Sequence, residues 1–192
     1  QIPIDTIDSY VSKFYRYIST YHSNLEADYN DIIMALFIRD IYNPFKGYNA
    51  EVLIQQAISS SSILNVSYDS SLDKNYSVDL LITDKTDSSL SLALQIKSTT
   101  DLFNVFDNKR MKRSNDSMSR YTTTTGIPCY FIFYNSQLHI AQHETADHST
   151  LDPLYAIDDI QQVRANKSVQ FMTTQQFVHY MEYIFTMARE SY

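Results

Sequence analysis

Hydrophobic positions follow a period of two in the middle of the chain and a period near 3.6 towards its ends. Leu90, Leu92, Leu94 and Ile96 alternate with Ser91, Ala93, Gln95 and Lys97, which predicts a strand with two different faces. Residues 78–82 (VDLLI) predict a second strand, and the polar stretch 83–89 between the two has turn composition, so the pair reads as a hairpin. Residues 63–68 read as a strand ahead of the hairpin. Residues 128–134 read as an apolar strand after it, entered through a Gly126-Ile127-Pro128 turn, and residues 137–142 as a further strand.

Helical spacing brackets this block. Ile7, Tyr10, Val11, Phe14, Tyr17, Ile18 and Tyr21 recur at i, i+3, i+4 and predict an amphipathic helix over 4–21. A second helix is predicted over 25–41, on Ile32, Ile33, Leu36, Phe37 and Ile41. A third covers 46–58, with Pro44 and Gly47 marking its start and the serines at 59–62 its end. Beyond Lys97, Met111, Asn115, Met118 and Tyr121, or Thr122 in its place, predict a helix that turns this stripe to the sheet. A closing helix, capped by Thr173 or Thr174, carries Phe177, Tyr180, Met181, Ile184, Phe185 and Ala188. Residues 143–170 are polar and give no assignment. The fold class is therefore α/β, with a central mixed sheet flanked by helices. A helical arm spans residues 1–43 and one compact unit, including the C-terminal helix, spans 44–192.

Composition narrows the function classes. A chain of 192 residues can bury a core without staples, and the single cysteine, Cys129 in an apolar strand, excludes an internal disulfide. No apolar run approaches the ~20 residues that cross a bilayer and no signal-peptide pattern opens the chain, which predicts a soluble cytoplasmic protein with no membrane partner. Two glycines exclude a P-loop and a dinucleotide fingerprint. The Tyr-, Ser- and Ile-rich, glycine-poor composition suggests a viral or mobile genome. His139, His143, Glu144 and His148 lack His-Glu-x-x-His spacing and read as polar loop residues, not as a zinc site.

The net charge of −7 argues against a protein coated in phosphate-binding surface, but the charge is unevenly placed. Between Gln95 and Tyr121 stand Lys97, Lys109, Arg110, Lys112, Arg113 and Arg120 against Asp101, Asp107 and Asp116, a net +3 that leaves −10 elsewhere. Lys109, Arg110, Lys112, Arg113 and Arg120 lie largely off the apolar stripe, as a localised phosphate-contacting surface requires.

Alternation puts Gln95 and Lys97 on one face of their strand, beside the strand that carries Asp79. An Asp, a hairpin, then (Asp, Glu or Gln)-x-Lys, here Asp79 and Gln95-Ile96-Lys97, resembles the PD-(D/E)xK nuclease superfamily of restriction-endonuclease-like fold. The resemblance covers residues 44 to 142, with the order helix, three strands, helix, strand. It implies a metal-dependent DNA endonuclease, either restriction-type or junction-resolving, working as a homodimer with magnesium, or manganese as substitute. The metal ligands it implies are Asp79, the backbone carbonyl of Ile96 and Glu51 from the preceding helix. Lys97 then stands beside the attacking water, and Gln95 replaces the family's usual acid with a neutral oxygen. The alternative is a catalytically inactive protein of the same fold that binds nucleic acid or a protein partner. DNA is not distinguished from RNA by the sequence.

Overall fold

The computed structural model describes residues 12, 13, 16, 20, 31, 34–36, 43–103, 108–145, 150–166 and 169–191. The chain divides into two compact units, Gln1–Tyr48 and Asn49–Tyr192. In the first, the described residues 12, 13, 16, 20, 31 and 34–36 are helical; Ser12, Lys13 and Arg16 are exposed and Leu36 is buried. Apart from Leu36, the apolar positions on which the two arm helices were predicted lie outside the described residues.

The second unit is mixed α/β, built on a seven-stranded sheet. Its elements begin with helix α1 (Asn43–Ser59), which belongs to this unit from Asn49 onward, strand β1 (Leu64–Ser67), the short helix α2 (Ser70–Tyr76), and strands β2 (Leu80–Asp84) and β3 (Ser91–Ser98). Helices α3 (Thr99–Phe103) and α4 (Asn108–Thr125) lead to β4 (Cys129–Tyr134) and β5 (Ile140–Glu144). Then follow β6 (Leu151–Asp152), α5 (Ile157–Asn166), β7 (Gln170–Met172) and α6 (Thr174–Glu190). The strand order is β1-β2-β3-β4-β5-β6, with β7 paired to β5. β2 pairs antiparallel with both β1 and β3, with Val66 opposite Ile82 and Ile82 opposite Leu92. β4 joins β3 in parallel, placing Gln95 opposite Phe131 and Lys97 opposite Phe133. A parallel partner needs a crossover connection, which α3 and α4 supply.

Both faces of β3 are covered, which explains why five consecutive residues, Leu92 to Ile96, are buried. On one face Leu92, Leu94 and Ile96 pack with Ala50, Ile54 and Ile58 of α1 and Phe177, Met181 and Phe185 of α6. On the other, Ala93 meets Val78 and Tyr121, while the flanking Phe131 and Phe133 pack against Met111 of α4 and Ile160 of α5. The stripe predicted for α4 is largely present, with Met111, Met118 and Tyr121 buried and Asn115 half-buried. Gly126 ends α4 in the left-handed region (φ 77°), and its N–H donates to the Thr122 carbonyl at 2.8 Å.

Several boundaries differ from the sequence reading, each for a local reason. Gly47 lies inside α1, because Pro44 occupies the first turn, where its missing N–H costs nothing. β5 starts at Ile140 because Asn135 folds the chain after β4 into a turn, accepting the Gln137 and His139 N–H groups at 2.9 and 3.0 Å. His143 is no loop residue: it is buried in β5, its ring 4.4 Å from that of Tyr155 and its Nε2 3.5 Å from Asp159. The unassigned stretch contributes β6, α5 and β7. Thr173 caps α6 in a full capping box with Gln176. No described helix is long and apolar enough to cross a membrane.

The β2–β3 turn is tied to α6 through Asp84. One carboxylate oxygen accepts Thr86 N–H at 2.7 Å, Thr86 Oγ1 at 2.6 Å and Asp87 N–H at 3.1 Å; the other lies 3.1 Å from Arg189 Nε. Asp84 is fully buried while Arg189 keeps 31% of its side chain in water, so Arg189→Ala should cost about 1–2 kcal/mol, less than a fully buried pair. Urea unfolding checks this, and an unchanged midpoint would refute it.

Candidate active site

Asp79 occupies the residue before β2, and its own N–H donates to Leu94 O at 2.8 Å, extending the β2–β3 ladder by one step. The side chain is 4% exposed and Gln95 3%, so two polar groups are enclosed together in the sheet. They satisfy each other: Gln95 Nε2 donates to Asp79 Oδ2, and the Ile96 N–H donates to the same oxygen at 2.6 Å. An ionised carboxylate only accepts, so the amide nitrogen must face it, which turns the Gln95 carbonyl oxygen away from Asp79.

Glu51 lies half-buried on α1, one position beyond the core residue Ala50. Burial pushes its carboxyl up to about 7, with the Asp79 and then the Asp73 carboxylates adding to the rise and Lys97 opposing it. Burial likewise pushes Asp79 up to about 6; Lys97, the Ile96 N–H and Gln95 pull it down, and Asp73 raises it. The half-buried Lys97 therefore acts electrostatically on both carboxyls. Of the residues singled out in the sequence, Asp79, Gln95 and the Ile96 backbone meet in direct hydrogen bonds. Glu51 and Lys97 join them through their charges.

Asp73 is the residue that the sequence reading missed. It sits on α2, capped by the Asp69 side chain, which accepts the Ser71 N–H at 2.7 Å. Ser77, in the left-handed region at φ 55°, donates its N–H to the Asp73 carbonyl and turns the chain into Asp79. The available signal was the N-cap residue Asp69 ahead of a short helical run.

α4 displays Lys109, Lys112, Arg113 and Arg120 in exposed positions. Arg120 reaches Asn75 O of α2 at 3.4 Å, and Tyr121 meets Tyr76 with ring centroids 5.3 Å apart, so α2 and α4 pack together. The Arg110 side chain lies outside the described residues.

Among the described residues no group of three or more His, Cys, Asp or Glu side chains is placed to hold a metal ion. The oxygens that the site does offer are hard, two carboxylates and the Ile96 carbonyl; the Gln95 oxygen expected from the sequence is not among them, because the amide turns its nitrogen to Asp79. Such a donor set fits magnesium or manganese, held in part through water, and does not fit zinc.

No family model matches the chain, and no curated protein or solved structure matches it.

The raised carboxyls make stability depend on pH. Between its unfolded and folded pKa values each group holds a proton in the folded protein that the unfolded chain has lost. The stabilisation is therefore complete below about pH 4 and is lost as the pH rises through about 6 to 7. Metal-free protein should lose more melting temperature between about pH 5 and pH 7.5 than the Glu51→Gln, Asp79→Asn double variant does. Equal losses in thermal unfolding would contradict the assignment.

Proposed function

We propose that this protein is a magnesium-dependent DNA endonuclease with a restriction-endonuclease-like core. The observation that carries the reading is the enclosed Asp79–Gln95 pair, with the Ile96 backbone turned to it and the charges of Glu51 and Lys97 beside it. The element order supports it as well: α1, then β1, β2 and β3 with α2 inserted, then a helical connection and β4, agrees with the helix, three strands, helix, strand that the resemblance implies.

Asp79 and Glu51 would hold the cation, with the Ile96 carbonyl as a neutral ligand, while Gln95, whose amide nitrogen faces Asp79, would act by holding that carboxylate. When bound, magnesium supplies a water of lowered pKa and charge neutralisation at the phosphate. The chain's own residues do the rest. Gln95 orients Asp79 and stabilises it as an anion, since each hydrogen bond it gives favours the charged form. Lys97 places a positive charge beside both acids, where it can orient the attacking water or offset charge developing on the phosphate. The exposed cations of α4 contact the substrate backbone without reading sequence, and the acidic remainder of the surface restricts binding to that side. Cutting both strands of a duplex would take two such sites, for which a homodimer is the simplest arrangement.

A non-catalytic nucleic-acid-binding protein of the same fold is the second reading. The neutral Gln95 and the lack of a three-acid cluster among the described residues favour it.

Plasmid and four-way-junction cleavage with magnesium or manganese separates the two. Asp79→Asn and Lys97→Met should each lower the cutting rate by about a hundredfold or more while leaving DNA binding within a few-fold. Binding by the native chain without metal-dependent cutting would select the second reading. Lys112→Ala and Arg113→Ala should weaken binding alike across sequences, each reducing the salt-dependence slope by about 1. An unchanged slope would remove α4 from the interface.

A further inference from the structure

A groove of about 770 Å³ runs between α4 and α5, on the sheet face that carries Gln95 and Lys97. Its apolar floor is Met111, Ile157 and Ile160, and the Asn115 and Gln161 amides line its walls. Among the described residues two cations, Lys112 from α4 and Arg164 from α5, also line it, against one acid, Asp116. Arg164 is fixed in place, since its Nε donates to Leu102 O at 2.5 Å. Leu102 belongs to α3, which continues directly from the strand that ends in Lys97 and Ser98, so the groove is tied to the candidate active site through one short helix.

We propose that this groove binds a single-stranded polynucleotide segment flanking the cleaved bond. The inference rests on the nuclease reading and specifies its substrate: nucleic acid with an unpaired arm or end. Charge complementarity selects the occupant. Lys112 and Arg164 match phosphate, Ile157, the floor residue that is not fully buried, offers an apolar contact to the face of an unstacked base, and the two amides match base edges, which both donate and accept. Asp116 repels phosphate at its own position and accepts from an exocyclic amine, which orients the strand. A cleft of this volume lies within the ~300–1,000 Å³ of small-ligand sites, so it admits a few nucleotides and cannot enclose a duplex.

Gln161 and Gln162 provide the test, because both are exposed and adjacent on α5 but only Gln161 lines the groove. A short fluorescein-labelled single-stranded oligodeoxynucleotide containing A and C is titrated by anisotropy in EDTA at low salt. The native chain should bind it, Gln161→Glu should bind about tenfold more weakly, and Gln162→Glu, with the same net charge, should stay within roughly twofold. Circular dichroism of both variants establishes that they fold. Absence of binding by the native chain, equal weakening in both variants, or no weakening in Gln161→Glu would overturn the proposal. So would displacement of the oligonucleotide by a polyglutamate peptide at equal concentration, which would mean that the groove reads charge alone. The assay contains no metal, so its outcome is independent of cutting. Metal-dependent cleavage of duplex without oligonucleotide binding would refute the groove and leave the nuclease; groove-dependent binding without cleavage would do the reverse.

Discussion

The carboxylate of Asp79 is buried at the open end of the β2–β3 hairpin, and a buried charge is tolerable only when its hydrogen bonds are met inside the protein. Gln95 and the Ile96 N–H meet them, which fixes the register at this end of the hairpin. A slip of one residue would send Gln95 into the core formed by α1 and α6 and leave Asp79 without its partner. The polar pair therefore ties the topology to the candidate chemistry: the packing that covers both faces of β3 is also what dehydrates the site.

Dehydration has a consequence for the two acids. With Asp79 pushed up to about 6 and Glu51 to about 7, the site without a cation is poised between charge states near neutrality. Gln95 becomes intelligible in that setting. A glutamate in its place would put a third carboxyl within hydrogen-bonding reach of Asp79, and one of the two would have to keep its proton. The neutral amide avoids this conflict by donating its N–H to the carboxylate. Asp73 on α2 acts on both acids in the opposite sense to Lys97, raising them.

The hairpin, the crossover helix and the closing helix were legible because their periodicity is strong: alternation through Leu90 to Lys97, and a spaced apolar stripe ending in a Thr173–Gln176 cap. Asp79, Gln95 and Lys97 could be grouped from strand alternation alone. α2 was not legible. Its seven residues include no fully buried one, and its inward face is a single pair, Leu72 and Tyr76, too short a stripe to betray it, so Asp73 was lost with it. α5 carried a weak signal in Ile157, Ile160 and Val163, hidden between short strands of two and three residues whose pairing depends on β5. The burial of His143 against Tyr155 depends on that same pairing, and no local pattern announces it. Long-range pairing of short segments is where sequence periodicity carries least information.

The central claim is that Asp79, Glu51 and the Ile96 carbonyl surround a divalent-cation site. Anomalous diffraction from crystals soaked in manganese chloride tests it most directly. The account predicts a manganese peak within coordination distance of an Asp79 carboxylate oxygen and the Ile96 carbonyl oxygen, lost in Asp79→Asn crystals soaked in the same way. Manganese found at other carboxylates, with none beside Asp79, would contradict it.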